Sequence, residues 1–191
     1  GWREVPINIW VLGEKAQLTM PRIEQVLVGK PAEMEADEYE RRLFLVRNEV
    51  EKLAQKHEIK HFYIASFSHR TIVYKGLLTA PSLEKFYKDL QNPAYETAIC
   101  TYHSRYSTNT FPTWPLAQPF RLLAHNGEIN TRRGNVNWMA AREAELQADF
   151  WGDDIELLKP IIQPGGSDSA ELDNALEVLL MSGRNLLHAM T

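Results

Sequence analysis

At 191 residues, with 44% hydrophobic and 24% charged side chains, the chain has the composition of an ordinary globular domain with room for a sizeable core. Its net charge of −4 leaves no basic footprint for nucleic acid, and no run approaches the roughly 18 apolar residues of a membrane-spanning helix. A single cysteine, Cys100, excludes an internal disulfide and suits a reducing compartment.

In chain order, Val5 to Leu12 is apolar and β-branched and reads as an extended segment or strand, where Pro6 either places it at an edge or makes Val5 its fringe. Pro21 and Gly29-Lys30-Pro31 bracket a short extended piece, Ile23 to Val28. Asp37 to His57 has the clearest helical period: Tyr39, Leu43, Val46, Val50 and Leu53 recur at helical spacing. The charges on its other face read as solvated, and acidic residues lead while Lys56-His57 close, as the helix dipole favours. Phe62 to Phe67 and Thr71 to Tyr74 flank Ser68-His69-Arg70 like the arms of a hairpin. Pro81-Ser82 can open a short helix with Leu83, Phe86 and Leu90 on one face. Two further strands are expected, Ala98 to Tyr102 and Arg121 to Ala124, joined by a stiff, proline-rich loop. Gly134 to Gln147 and Leu172 to Met181 read as helices. No internal repeat or linker divides residues 1–191, so one domain is expected.

Three clusters carry chemistry. After Arg121-Leu-Leu-Ala124 comes His125-Asn126-Gly127. Asn-Gly accepts positive φ cheaply, so a sharp turn is expected. Such a turn frees the Gly127 amide and the Asn126 carboxamide, two neutral donors able to hold an oxyanion; equally, an Asn-Gly turn can be only a turn. After the other strand lies a polar run in which Arg105 is the one formal charge. A guanidinium among hydroxyls and amides suits a small carboxylate, or is a surface arginine. The third cluster is Pro164-Gly-Gly-Ser-Asp168-Ser-Ala-Glu171. There Asp168 either N-caps the next helix, with Glu171 completing a capping box, or meets an ammonium. A carboxylate holder, an ammonium holder and an oxyanion donor pair describe a site for the amide of an α-amino acid.

Rival constellations are weaker. His57, His61 and His69 lack the spacing of metal ligands, so no metal is expected. Cys100 and His103 would point to opposite faces of a strand, and Cys100 reads as a small buried hydrophobe. The glycines form no nucleotide-binding loop.

Tyr102-His-Ser-Arg-Tyr-Ser-Thr-Asn-Thr110, Arg121-Leu-Leu-Ala-His-Asn-Gly-Glu-Ile-Asn-Thr131 and Gly165-Gly-Ser-Asp-Ser-Ala170 resemble the glutamine amidotransferase domain of glutamate synthases, a class II, N-terminal-nucleophile hydrolase. Gly1-Trp-Arg-Glu-Val-Pro6 resembles an internal segment of that domain. The resemblance implies an α+β fold, the αββα four-layer sandwich, here without its first strands and so with a sheet edge or face unpaired. It implies an N-terminal cysteine nucleophile roughly a hundred residues before Gly1, within the size of one domain. It further implies that Asn126 and Gly127 form the oxyanion hole, that Arg105 holds the α-carboxylate of glutamine and Asp168 its α-ammonium, and that Thr108 lines the pocket. Ammonia would pass to a flavin domain and meet 2-oxoglutarate. FMN, an iron–sulfur cluster and the electron donor would belong to the remaining domains, the partners of this one, with no cofactor in this chain. The location would be cytoplasmic in a bacterium and plastid in a plant or alga. Two alternatives stand beside this reading: a non-catalytic amino-acid-binding module, and the glutaminase domain of another class II amidotransferase. The isolated chain, lacking the nucleophile, is expected to be inactive.

Overall fold

A computed structural model of the chain describes residues 1–106, 110–146 and 150–191. Strand β1 (Trp2–Glu4) pairs antiparallel with β2 (Glu24–Val26), Arg3 opposite Gln25. The chain continues extended through Val5, whose N–H meets Ile23 O at 3.0 Å, and through Ile7, which bridges to Tyr87. The extended run expected as far as Leu12 stops there. Asn8 accepts from the Trp10 amide and turns the chain into a 3₁₀ segment, Ile9–Val11. Helix α1 (Glu14–Leu18) follows.

Helix α2 (Ala36–Lys56) is the long element foreseen, with Asp37 and Glu38 in its first turn and Lys56 in its last. At 1.5 Å per residue it is roughly 30 Å long. Its sides differ from expectation. Tyr39 and Leu43 are buried, but Val46, Val50 and Leu53 are exposed, while Glu40, Arg47 and Asn48 are inside. The reason is that partners reach it on its polar side. Glu40 accepts from Ser68 Oγ (2.5 Å) and the His69 amide (3.1 Å) and contacts His69 Nδ1 at 2.6 Å. Arg47 donates to Glu177 at 2.8 Å. Buried ionic groups persist when paired in this way.

Helix α3 (Ala80–Phe86) has its proline in the first turn, where no N–H is needed. Helix α4 (Arg132–Glu143) and helix α5 (Asp168–Met181) lie near the stretches expected, and a short α6 (Leu186–Met190) follows. Ser167, not Asp168, is the N-cap of α5; its Oγ accepts from the Ala170 amide at 3.2 Å. The expected capping box therefore does not form, because Glu171 is drawn away to Arg132.

Two apolar cores result. One joins Val5, Leu12, Ala16, Phe86, Tyr87 and Trp114. The other packs Phe44 and Leu45 of α2 against Trp151, Leu158, Ile161 and Val178.

Among the described residues there is only the two-stranded sheet, not the sheets of an αββα sandwich. Phe62–Phe67, Thr71–Tyr74, Ala98–Tyr102 and Arg121–Ala124 form no ladder. A strand exists only beside another strand. Here the amides of the first and last of these stretches go to side chains instead: Ile64 donates to Glu51 (3.2 Å), and Leu122 to Asp173 (2.8 Å). Cys100, expected inside, is exposed because its segment lies on the surface and pairs with no strand among the described residues.

Candidate functional site

Gly127 takes φ +147°, the turn that the Asn-Gly pair requires. A Cβ there would stand 3.4 Å from the His125 ring, so the imidazole lies beside the turn. The residues around it are tightly held. Gln118 is buried, and its carboxamide meets both backbone groups of His125: Oε1 accepts from the His125 N–H (2.7 Å), and Nε2 donates to the His125 carbonyl (3.0 Å). On the far side, the Ile129 N–H donates to Asp168 Oδ2 at 2.7 Å. Ser169 Oγ lies 3.3 Å from His125 Nδ1. Between these anchors, neither the Asn126 carboxamide nor the Gly127 N–H has a hydrogen-bond partner among the described residues, and both residues are exposed.

The stretch before the turn is held from α5. Asp173, 1% exposed, accepts from the amides of Arg121 (3.2 Å), Leu122 (2.8 Å) and Leu123 (3.1 Å). Burial pushes its carboxyl above the usual carboxylate range, against the pull of Arg121 and these amides. Glu177, one turn on, takes Arg121 Nε at 2.9 Å and Arg47 Nη2 at 2.8 Å on one oxygen. Two further Arg47 donors, Nε and Nη1, are buried without a hydrogen-bond partner among the described residues, although Nε lies 3.9 Å from Glu51 Oε2; the Arg47 side chain lines a gap of about 10 Å³, close to the room one water needs.

Asp168 is thus against the Asn126–Gly127 turn, buried, with Oδ1 also accepting from the Ser169 amide at 2.7 Å. Arg105 is elsewhere in the bonding pattern. It is exposed, its backbone closes on His103 Nδ1 (2.7 and 3.1 Å), and none of its hydrogen bonds to described residues reaches the turn. Thr108 lies outside the described residues. Arg132 ties the start of α4 to α5 through a bidentate pair with Glu171 (2.5 and 3.0 Å) and donates to Gly166 O (3.0 Å). A cavity of about 330 Å³ opens beside this pair, lined also by Arg133, Asn137, Gln163 and Gly165, at the small end of the roughly 300–1,000 Å³ typical of ligand pockets. None of Arg105, Asn126, Gly127 and Asp168 lines it, so the turn and the cavity are separate features. Among the described residues no three His, Cys, Asp or Glu side chains gather as metal ligands, and no helix is long and apolar enough to cross a membrane.

Gln118, Asp173 and Glu177 escape a reading by motif. The signal was there in part: carboxylates four residues apart, at 173 and 177, interrupt a helix whose other residues are largely apolar, and so share one face.

The family model of class II glutamine amidotransferases matches residues 1–191. The chain belongs to that family. This amidotransferase chain is 52% identical, over 99% of its length, to ferredoxin-dependent glutamate synthase 2 of Synechocystis. It is 50% identical over 96% of its length to the glutamate synthase (NADPH) large chain of Azospirillum brasilense, and 46% identical over 98% to that of Bacillus subtilis. In each case it spans only 12% of the relative's length, so it corresponds to one part of a much larger protein. The class II family implies the N-terminal-nucleophile hydrolase fold; the helices and small sheet described above are compatible with part of it.

Proposed function

We propose that this amidotransferase domain binds glutamine and supplies the oxyanion hole of a glutaminase within a longer protein of the glutamate synthase kind. The observation that supports this most is the turn itself. Its flanking amides at His125 and Ile129 are taken, while two neutral donors, the Asn126 Nδ2 and Gly127 N–H, are left exposed between them. Such donors stabilise a charge that develops at one point.

In this reading a cysteine thiolate, supplied from outside these 191 residues, adds to the side-chain carbonyl of glutamine. The carbonyl oxygen becomes an oxyanion held by Asn126 and Gly127. The C–N bond then breaks, ammonia leaves with a proton, and water cleaves the thioester to glutamate. In the assembled domain Arg105 holds the α-carboxylate and Asp168 the α-ammonium, while Thr108 lines the pocket. In the longer protein the αββα sandwich is completed by strands that pair with Ala98–Tyr102. FMN and an iron–sulfur cluster belong to other domains, where ammonia meets 2-oxoglutarate. The protein is cytoplasmic in a bacterium and plastid in a plant or alga, as the chloroplastic relative from Oryza sativa suggests.

Asn126→Ala in the longer protein tests the core of this. Glutamine hydrolysis should lose roughly 10²–10³ in kcat, the usual cost of one oxyanion donor, with KM little changed because the donor acts in the transition state. A raised KM with unchanged kcat would make Asn126 a binding group only and overturn the assignment. The 191-residue chain alone should release no ammonia from glutamine.

A further inference from the structure

We propose that Gln118 is a positioning residue for the oxyanion donors, acting through the backbone of His125; this rests on the reading of Asn126 and Gly127 given above. The carboxamide of Gln118 bonds the N–H and the C=O of the same residue, at 2.7 and 3.0 Å. In an antiparallel sheet a neighbouring strand makes that pair of bonds. Here one buried side chain, seven residues upstream, makes it instead. An amide suits the task, since it offers one donor and one acceptor and adds no net charge beside a developing oxyanion.

The placement makes the effect specific. His125 and Ile129 are the fixed ends of the turn, the first held by Gln118 and the second by Asp168. Both donors lie in the three residues between. Gly127, at φ +147°, is the permissive joint of that span. The rest of the loop from Gln118 to His125 is closed as well: Phe120 N–H bonds Leu123 O at 2.9 Å, and Asp173 takes the amides of residues 121–123. Freeing the His125 backbone therefore moves the donor pair and little else. Displacement of a reacting geometry by about 1 Å can cost on the order of 10²-fold in rate.

The test uses the full-length protein that carries this domain. Ammonia release from glutamine is measured for wild type, Gln118→Leu, Gln118→Glu, Asn126→Ala and the double variant Gln118→Leu/Asn126→Ala, with circular dichroism to confirm folding. Gln118→Leu removes both bonds to His125. Gln118→Glu keeps the shape and the acceptor for the N–H but sets an oxygen against the carbonyl. Each should lower kcat by roughly 10- to 100-fold and leave KM within about twofold, since ground-state binding is unaltered. In the double variant the losses should multiply less than fully, because one of the two donors that Gln118 positions has already been removed. A folded Gln118→Glu with wild-type kcat overturns the proposal, as do losses that multiply fully or that fall on KM alone. Should Gln118→Leu fail to fold, the near-isosteric Gln118→Glu still decides. If Asn126→Ala keeps its kcat, the oxyanion reading fails and this proposal with it; if Asn126→Ala is slow and the folded Gln118 variants are not, only the positioning role fails.

Discussion

The segments on either side of the proline-rich loop, Ala98–Arg105 and Arg121–Ile129, each open on a stretch expected to be a strand, Ala98–Tyr102 and Arg121–Ala124, and fare differently. Residues 91–102 are exposed throughout. In the later segment the amides of residues 121, 122, 123, 125 and 129 are all taken by buried side chains of Asp173, Gln118 and Asp168. An apolar, β-branched composition alone leaves a segment on the surface. Acceptors fixed in the interior give the other one a defined path, and with it a defined turn. Unmet amides in a buried place are expensive, so the acceptors govern the backbone more than the propensity of the segment does.

The largest expected effect comes from removing the acceptor that serves most amides. Asp173→Ala should destabilise the chain by about 3–5 kcal/mol, since it strands three amides and leaves Arg121 beside a single carboxylate. Urea unfolding followed by tryptophan fluorescence measures it. A loss below about 1 kcal/mol, the scale of a single ordinary hydrogen bond, would mean the segment is held by something other than Asp173.

A second effect sits on the same side of the loop. Lys75 is buried, donates to Pro115 O at 2.6 Å and lies over the Phe120 ring at 5.3 Å. Burial, and after it the nearby charge of Arg121, lower its pKa from 10.5 to about 8, with Asp173 opposing. Its folded pKa is thus below its unfolded one. Below pH 8 both states carry the proton and the cost of burying the charge is present in full; as pH rises from 8 towards 10.5 the native state sheds it and stability climbs. The slope is at most about 1.4 kcal/mol per pH unit. Above pH 10 the climb is opposed by Tyr63, whose burial raises it to about 12, so that it ionises first in the unfolded chain. Lys75→Met should erase the rise between pH 8 and 10, read as the shift in urea midpoint relative to wild type. An unchanged rise would place the charge in water.

The smallest effect is expected on the exposed side. Ile99 is 83% exposed, so Ile99→Asp should change the stability of the isolated chain by less than about 0.5 kcal/mol. A loss several times larger would show that Ala98–Tyr102 is packed after all and would dissolve the contrast.

Elements whose signals are local were legible in the sequence. Helix α2 followed from its period and its terminal charges, α5 from its leucines, and the bend at Gly127 from the Asn-Gly pair. Strand β2 lies within the extended piece expected at Ile23–Val28, but the strands expected between Phe62 and Ala124 form no ladder among the described residues, because a ladder depends on a distant partner that propensity does not name. The polar residues inside α2 were misread as solvated, since nothing near Arg47 in sequence announces Glu177, 130 residues away. Gln118, seven residues from His125, and Asp173, 50–52 residues from the amides it serves, are hidden for another reason: their roles exist mainly through the backbone groups they meet, which side-chain patterns do not show. The roles given to Asn126, Gly127, Arg105, Thr108 and Asp168 come from resemblance to a family, and spacing alone would have left them open.

Gln118 aside, the acceptors that serve the turn and the stretch before it lie downstream. Asp168 is 39 residues after Ile129, and Asp173 is 50–52 residues after the amides at 121–123. During synthesis at roughly 5–20 residues per second, the turn therefore leaves the ribosome several seconds before its anchors do. Until α5 has emerged, the amides of residues 121–123 and 129 are open, available to chaperones or to pairing with whatever edge is near. Completion of the turn reports that translation has passed Asp173, and a ribosome stalled before that codon would display the Asn126–Gly127 pair without the geometry that gives it a use.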